Sequence, residues 1–299
     1  MMKRSGLFLL ITLTVSAALP FAYPHNSASS EKSLEEGFFF GTSYGLENVE
    51  DAKLLIDKVK DYTNLFVIGS WSIVINETAL NEVCEYAVKA DLSFIVYFDY
   101  ISQVMYPWHQ TWLDTAKEKY GDKFLGIYLY DEPGGRQIDE KQWDGGDILL
   151  NAFANVSNYN DAANIFVGTM STSRSTLDLK DRKISMFTSD YALYWFGYLG
   201  GYDAVFVELG WNHTTTQQIA LNRGAANLQG KDWGAIIVWT YDNPPYLASR
   251  EEIYREMVTA YRAGAKYVIV FNYPQNPEGN TYGILTEEHF EAMKILCIR

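Results

Sequence analysis

The 299-residue chain carries 24 Lys+Arg against 37 Asp+Glu, a formal charge of −13, with 48% apolar residues and two cysteines. That length and composition support a core held by burial alone, and they exclude wholesale disorder or a disulfide scaffold. A negative chain without a Lys/Arg block also argues against DNA or RNA as partners.

Lys3 and Arg4 precede an apolar run, Leu7 to Leu19, which passes through Ser16, Ala17 and Ala18 into Pro20, Pro24 and a Ser-rich stretch, Ser27 to Ser33. This predicts a secretory signal peptide over residues 1–22 and a linker over 23–36, because the run falls short of the roughly 20 residues that cross a bilayer. An uncleaved anchor extending to Ala22 is the alternative, and would be the only membrane contact. Cleavage removes two positive charges and leaves an exported protein that is more acidic still. Three sequons, Asn76-Glu77-Thr78, Asn155-Val156-Ser157 and Asn212-His213-Thr214, agree with export, although chance supplies such triplets readily. Cys84 and Cys297 read as buried free thiols, with a disulfide as the alternative.

From Gly37 onward, short β-branched and aromatic runs alternate with segments of helical period. Strands are expected at Phe38–Thr42, Leu65–Ser70, Phe94–Asp99, Phe124–Asp131, Ile184–Ser189, Ala204–Leu209, Ala235–Thr240 and Tyr267–Asn272. Helices are expected at about Val49–Tyr62, Thr78–Ala90, Pro107–Tyr120, Asp139–Val156, Tyr191–Leu199, Thr215–Leu228, Arg250–Ala263 and Glu287–Leu296. The pattern predicts a single (β/α)8 TIM-type barrel over residues 37–299. One extra run, Ile165–Met170, is assigned with Ser171–Lys183 to a hairpin-like insertion before the fifth strand; it could instead be that strand. A nine-stranded open sheet is the rival, but no Gly-x-Gly-x-x-Gly or P-loop turn follows any strand.

In a parallel barrel the chemistry gathers at the C-terminal ends of the strands. Those ends are polar and aromatic, beginning with Thr42-Ser43-Tyr44 and Ser70-Trp71 and closing with Trp239-Thr240-Tyr241-Asp242 and Asn272-Tyr273-Pro274. In the fourth strand, alternation puts Ile127 and Leu129 on one face and Gly126, Tyr128, Tyr130 and Glu132 on the other. Glu132 is therefore expected to face the barrel mouth. Asp131 nominally points outward, although a bend would bring it beside Glu132, where like charge raises a carboxyl toward a general acid. Two adjacent acids are also what a solvated loop or helix N-cap would show.

The run Tyr128-Leu129-Tyr130-Asp131-Glu132-Pro133 resembles the fourth-strand signature of (β/α)8 glycoside hydrolases, which reads Asn-Glu-Pro in the large retaining clan. The resemblance implies that Glu132 is the acid/base. Asp131 replaces the Asn, a departure similar to N-acetylhexosaminidase families in which the Asp orients the substrate's acetamido group. Glycoside hydrolysis also needs a second carboxylate or substrate assistance, for which Glu208, Asp242, Asp190 and Asp99 are candidates. The large clan carries a Glu after the seventh strand, where this chain has Asp242. Trp71, Trp195, Trp211, Trp239 and Tyr241 offer flat faces for sugar rings, with Tyr128, Tyr130, Asn212 and Asn272 as hydrogen-bond partners. For Trp195, inside an apolar run, simple packing is the stronger reading.

No His-Glu-x-x-His, zinc-spaced Cys pair or Gly-x-Ser-x-Gly elbow occurs, which argues against zinc proteases and ordinary serine hydrolases. His25, His109, His213 and His289 are scattered. Asp139 to Asp147 lacks the alternating oxygens of a calcium loop. No cofactor or metal is expected. The sequence thus predicts a secreted or cell-surface enzyme that cleaves glycosidic bonds in a carbohydrate through Glu132, Asp131 and either Glu208 or Asp242. A noncatalytic glycan-binding or structural barrel is the alternative.

Overall fold

The computed structural model of the chain describes residues 34, 37–101, 104–135, 156–210, 213–272 and 280–297. The expected signal peptide, nearly all of the linker and of the helix at Asp139–Val156, and Trp211, Asn212 and Asn155 lie outside them. Eight parallel strands close into a barrel in sequence order: β1 (Phe39–Tyr44), β2 (Leu65–Ile68), β3 (Ser93–Asp99), β4 (Phe124–Leu129), β5 (Met186–Asp190), β6 (Ala204–Leu209), β7 (Asp232–Ile237) and β8 (Tyr267–Val270). The closing pair sets Phe40 against Val268 and Thr42 against Val270. Among the described residues the helices are α1 (Val49–Val59), α2 (Trp71–Val74), α3 (Glu77–Lys89), α4 (Trp108–Tyr120), α5 (Tyr159–Thr172), α6 (Arg174–Asp181), α7 (Tyr194–Gly200), α8 (Thr215–Gln229), α9 (Arg250–Arg262) and α10 (Glu287–Cys297). None of them is long and apolar enough to cross a membrane.

Strand alternation splits the apolar residues into two cores. One face of each strand, including Phe66, Val96, Ile127, Leu129 and Val207, packs on helix residues such as Leu55, Leu80, Trp112 and Met257. The other fills the barrel with Leu65, Ile95, Tyr128, Phe187, Phe206 and Tyr267. Phe187 stacks on Phe206 at 5.7 Å between ring centroids, and both meet Tyr267. Rings here occupy the layers that branched aliphatics commonly fill. Phe206 is fully buried, so truncation to Ala would cost about 3–5 kcal/mol. Gly126 has φ +145°, and a Cβ there would meet Ser185 O at 2.2 Å, so β4 can lie against the β5 side only without a side chain.

Helix starts follow the sequence chemistry. Asn48, Asn76 and Ser249 side chains accept the backbone N–H groups of Asp51, Ala79 and Glu252, each such cap contributing about 1 kcal/mol. Ser173 caps α6 in the same way.

The segment Ile165–Met170 is neither a strand nor part of a hairpin. It lies inside α5, where its two buried side chains, Phe166 and Met170, stand four residues apart on one helical face. The following segment, expected as the hairpin's return, contains α6. β4 ends at Leu129, two residues before its expected limit, and β7 is Asp232–Ile237 rather than Ala235–Thr240.

Candidate active site

Tyr128 roofs the aromatic plug, with its ring 6.4 Å from that of Phe206. Its buried hydroxyl is a hub. Tyr128 Oη donates to Asp131 Oδ1 at 2.6 Å, lies 2.7 Å from Ser189 Oγ and accepts the Ser189 backbone N–H at 2.9 Å. Ser189 Oγ in turn donates to Glu208 Oε1 at 2.6 Å. Burial pushes the Tyr128 phenol well above its usual range, so the hub stays a neutral hydroxyl.

A chain of oxygens thus links the end of β4 to the end of β6 through β5. Its three contacts hold the nearest Asp131 and Glu208 oxygens within about 8 Å of each other. Glu208 is buried at 2% exposure, whereas Asp131 and Glu132 are half-buried at the rim.

The alternation that assigned Glu132 inward and Asp131 outward stops with the strand. Tyr130 (φ +55°) and Glu132 (φ +46°) are both left-handed, and Tyr130 N–H donates to Asp99 O at 2.7 Å. The turn in the backbone at Tyr130 carries Asp131 back to the inner hydroxyl of Tyr128. Asp131 therefore does not point outward.

Asp99 (φ +52°), Leu193 (φ +52°) and Tyr246 (φ +54°) add further left-handed residues to the same rim. Each costs of order 1 kcal/mol or more and persists only where surrounding structure imposes it, a pattern that clusters at functional sites.

Asp190 is the clamp for this turn. Its carboxylate accepts four backbone N–H groups: Gly134 at 2.6 Å, Gly135 at 2.8 Å, Tyr191 at 2.9 Å and Ala192 at 3.0 Å. Burial raises its carboxyl to about 7, with the charge of Glu132 acting in the same sense and the backbone donors opposing. A Cβ on Gly134 would lie 2.7 Å from Asp190 Oδ2 and 2.8 Å from the backbone oxygen of Ala192, so the Asp-Glu-Pro-Gly-Gly turn reaches the clamp most closely with glycine there. Asp190, expected to bind substrate, is occupied holding backbone.

The other predicted residues are spread around the mouth. Trp71 (44% exposed) and Tyr241 (48% exposed) stand on the rim, Trp239 is half-buried against both cores, and Asp99 is half-buried at the end of β3. Tyr130 is half-buried, and its carbonyl accepts from Thr188 Oγ1 at 2.6 Å. Asn272 is fully buried: its Oδ1 accepts the Ile284 N–H, its own N–H donates to Ser43 Oγ, and its Nδ2 has no partner among the described residues. Asp242 is solvent-exposed in the loop after β7. Trp195 is 40% exposed on α7, and its carbonyl accepts from Gln229 at the far end of α8, so it belongs to the outer wall.

Ser189 was missed by the sequence reading, although alternation from the inward Phe187 places it inward. Among the described residues, no cluster of His, Cys, Asp and Glu is arranged to hold a metal ion.

No protein-family profile matches the chain, and no curated protein matches its sequence. Solved structures do. At 10% identity the chain is similar to an endo-1,4-beta-mannanase from Rhizomucor miehei, over 89% of this chain and 97% of that one, with a TM-score of 0.55. It is equally similar to a hyperthermostable endo-1,4-beta-D-mannanase from Thermotoga petrophila RKU-1, over 87% and 99%, with a TM-score of 0.56. A beta-glycosidase, BGL167, matches at 10% identity over 89% and 96%, with a TM-score of 0.51. The fold is a (β/α)8 barrel like that of glycoside hydrolases. At this identity the likeness carries the fold alone.

Proposed function

We propose that the chain is an exported glycoside hydrolase, active outside the cell or at its surface, whose acids are supplied by β4 and β6. The observation that carries the reading is the convergence of Glu208 and of Asp131, the residue beside Glu132, on one hydroxyl chain, Tyr128–Ser189, at the C-terminal mouth of the barrel.

Glu132, half-buried on the strained turn, is the proton donor to the leaving oxygen. Glu208 is the second carboxylate, facing the anomeric carbon as nucleophile or general base. Asp131, held by Tyr128, orients the substrate. Asp242 is not needed: it is exposed to water and lacks the buried anchoring that Glu208 receives from Ser189.

Screening aryl glycosides, N-acetylated ones included, tests the assignment. Glu132→Gln and Glu208→Gln should each lower kcat by about 10³-fold or more with the melting temperature retained. Turnover equal to wild type in either variant would remove that residue from the mechanism.

A further inference from the structure

We propose that the mouth binds an uncharged glycan several sugar units long, cleaved at the Asp131–Glu208 side and stacked at its far end on a Trp71–Tyr100–Tyr106 platform. This inference rests on the glycosidase reading and adds the class and minimum length of the substrate.

The first observation is the platform. Trp71 opens α2 just after β2, and its ring lies 6.5 Å from that of Tyr100 and 6.1 Å from that of Tyr106, the latter edge-on. The platform is stiffened from behind. Tyr106 stacks on His109 at 5.0 Å, and His109 stacks on Phe98 at 4.1 Å with Trp108 against its edge. His109 is buried at 2% exposure and its imidazole is pushed down to about 4 by burial, so this base is apolar and uncharged at neutral pH. Aromatic rings fixed this way can take the C–H face of a sugar without losing side-chain freedom.

The second observation is position. β2 and β6 stand four strands apart in either direction around the ring of eight. Trp71 is therefore across the mouth from Glu208, a backbone span of about 15 Å, the length of about three linked pyranose rings. Tyr97 on β3 meets the ring of Tyr128 at 5.2 Å beneath the interval, and half-buried Tyr100 follows at the end of the same strand. A ligand that touches both ends needs about three units or more.

The third is charge. Among the described residues, the segments from each strand end to the next helix contain no Lys or Arg, Arg136 and Lys141 after β4 lying outside them, yet they and the strand ends carry Glu47, Asp99, Asp131, Glu132, Glu208 and Asp242. The described part of the mouth repels uronates and sulfated sugars, which favours an uncharged glycan.

Tryptophan-fluorescence titration of the full chain with hexaoses of glucose, mannose, xylose and N-acetylglucosamine, their disaccharides, and hexagalacturonate tests this. One neutral hexaose should bind at least tenfold more tightly than its disaccharide, and hexagalacturonate should not bind. Trp71→Ala should weaken the hexaose about tenfold, with Trp71→Phe recovering most of the affinity and far-UV circular dichroism unchanged in both. Equal affinity for hexaose and disaccharide, an unaffected Trp71→Ala variant, tighter binding of hexagalacturonate, or no binding of any neutral hexaose would each overturn the proposal. Trp71-dependent binding without hydrolysis would instead count against the catalytic reading alone. Hydrolysis without Trp71 dependence would count against the platform alone.

Discussion

Ser189 Oγ donates to Glu208 Oε1 at 2.6 Å while lying 2.7 Å from the hydroxyl of Tyr128, so one small side chain on β5 joins the two acid-bearing strands. Glu208 is buried, and removing its donor leaves that oxygen to be resatisfied. Ser189→Ala should destabilise the fold by about 1–3 kcal/mol in urea unfolding. It should also displace the lower limb of the pH–rate profile, which a purely structural loss would leave in place. Wild-type stability together with an unshifted profile would show that the bond has no consequence.

The Asp190 clamp makes a separate prediction about the Asp-Glu-Pro-Gly-Gly turn. Asp190→Ala strips the acceptor from four backbone N–H groups and should cost about 2–4 kcal/mol. Hydrogen exchange at Gly134 and Gly135 should accelerate while the amides of β6 stay protected. Uniform acceleration across the barrel would mean that the turn is not a local unit.

Two buried carboxyls predict an acid-favoured stability. Burial raises Glu256, on α9 beside the Thr215 hydroxyl, to about 7, and raises Asp190 to about 7 as well. Folded values above unfolded ones mean that the native state binds more protons. The contribution is complete below the unfolded values of 4.5 and 3.8, and is lost as pH rises through about 7. Glu256→Gln should flatten this decline, being more stable than wild type at pH 8 and not at pH 4. Urea unfolding at the two pH values measures it, and a variant with an unchanged pH slope would contradict the assignment.

Much of the barrel was legible in the sequence because period-2 runs and helical segments alternate cleanly from β1 to β8. The inward face of Tyr128 and the outward faces of Ile127 and Leu129 followed from the same alternation. The rule ended where the strand did: left-handed Tyr130 redirects Asp131, and no residue type in Tyr-Asp-Glu signals that turn. Ile165–Met170 misled for a different reason, since a short apolar run fits a strand or a helix equally well and only its buried pair, Phe166 and Met170, separates the two. Ser189 was within reach of the alternation but carries no chemistry until Tyr128 and Glu208 are placed beside it. Tyr100 and Tyr106 lie in a connecting loop, where sequence period gives no facing.

The central claim is that paired carboxylates at this mouth break glycosidic bonds, and release of the aryl group from a panel of aryl glycosides by wild type and Glu208→Gln tests it most directly. The account predicts turnover of at least one substrate by the wild type and a loss of about 10³-fold or more in the folded variant. A Glu208→Gln protein that hydrolyses the same glycoside at the wild-type rate would contradict it.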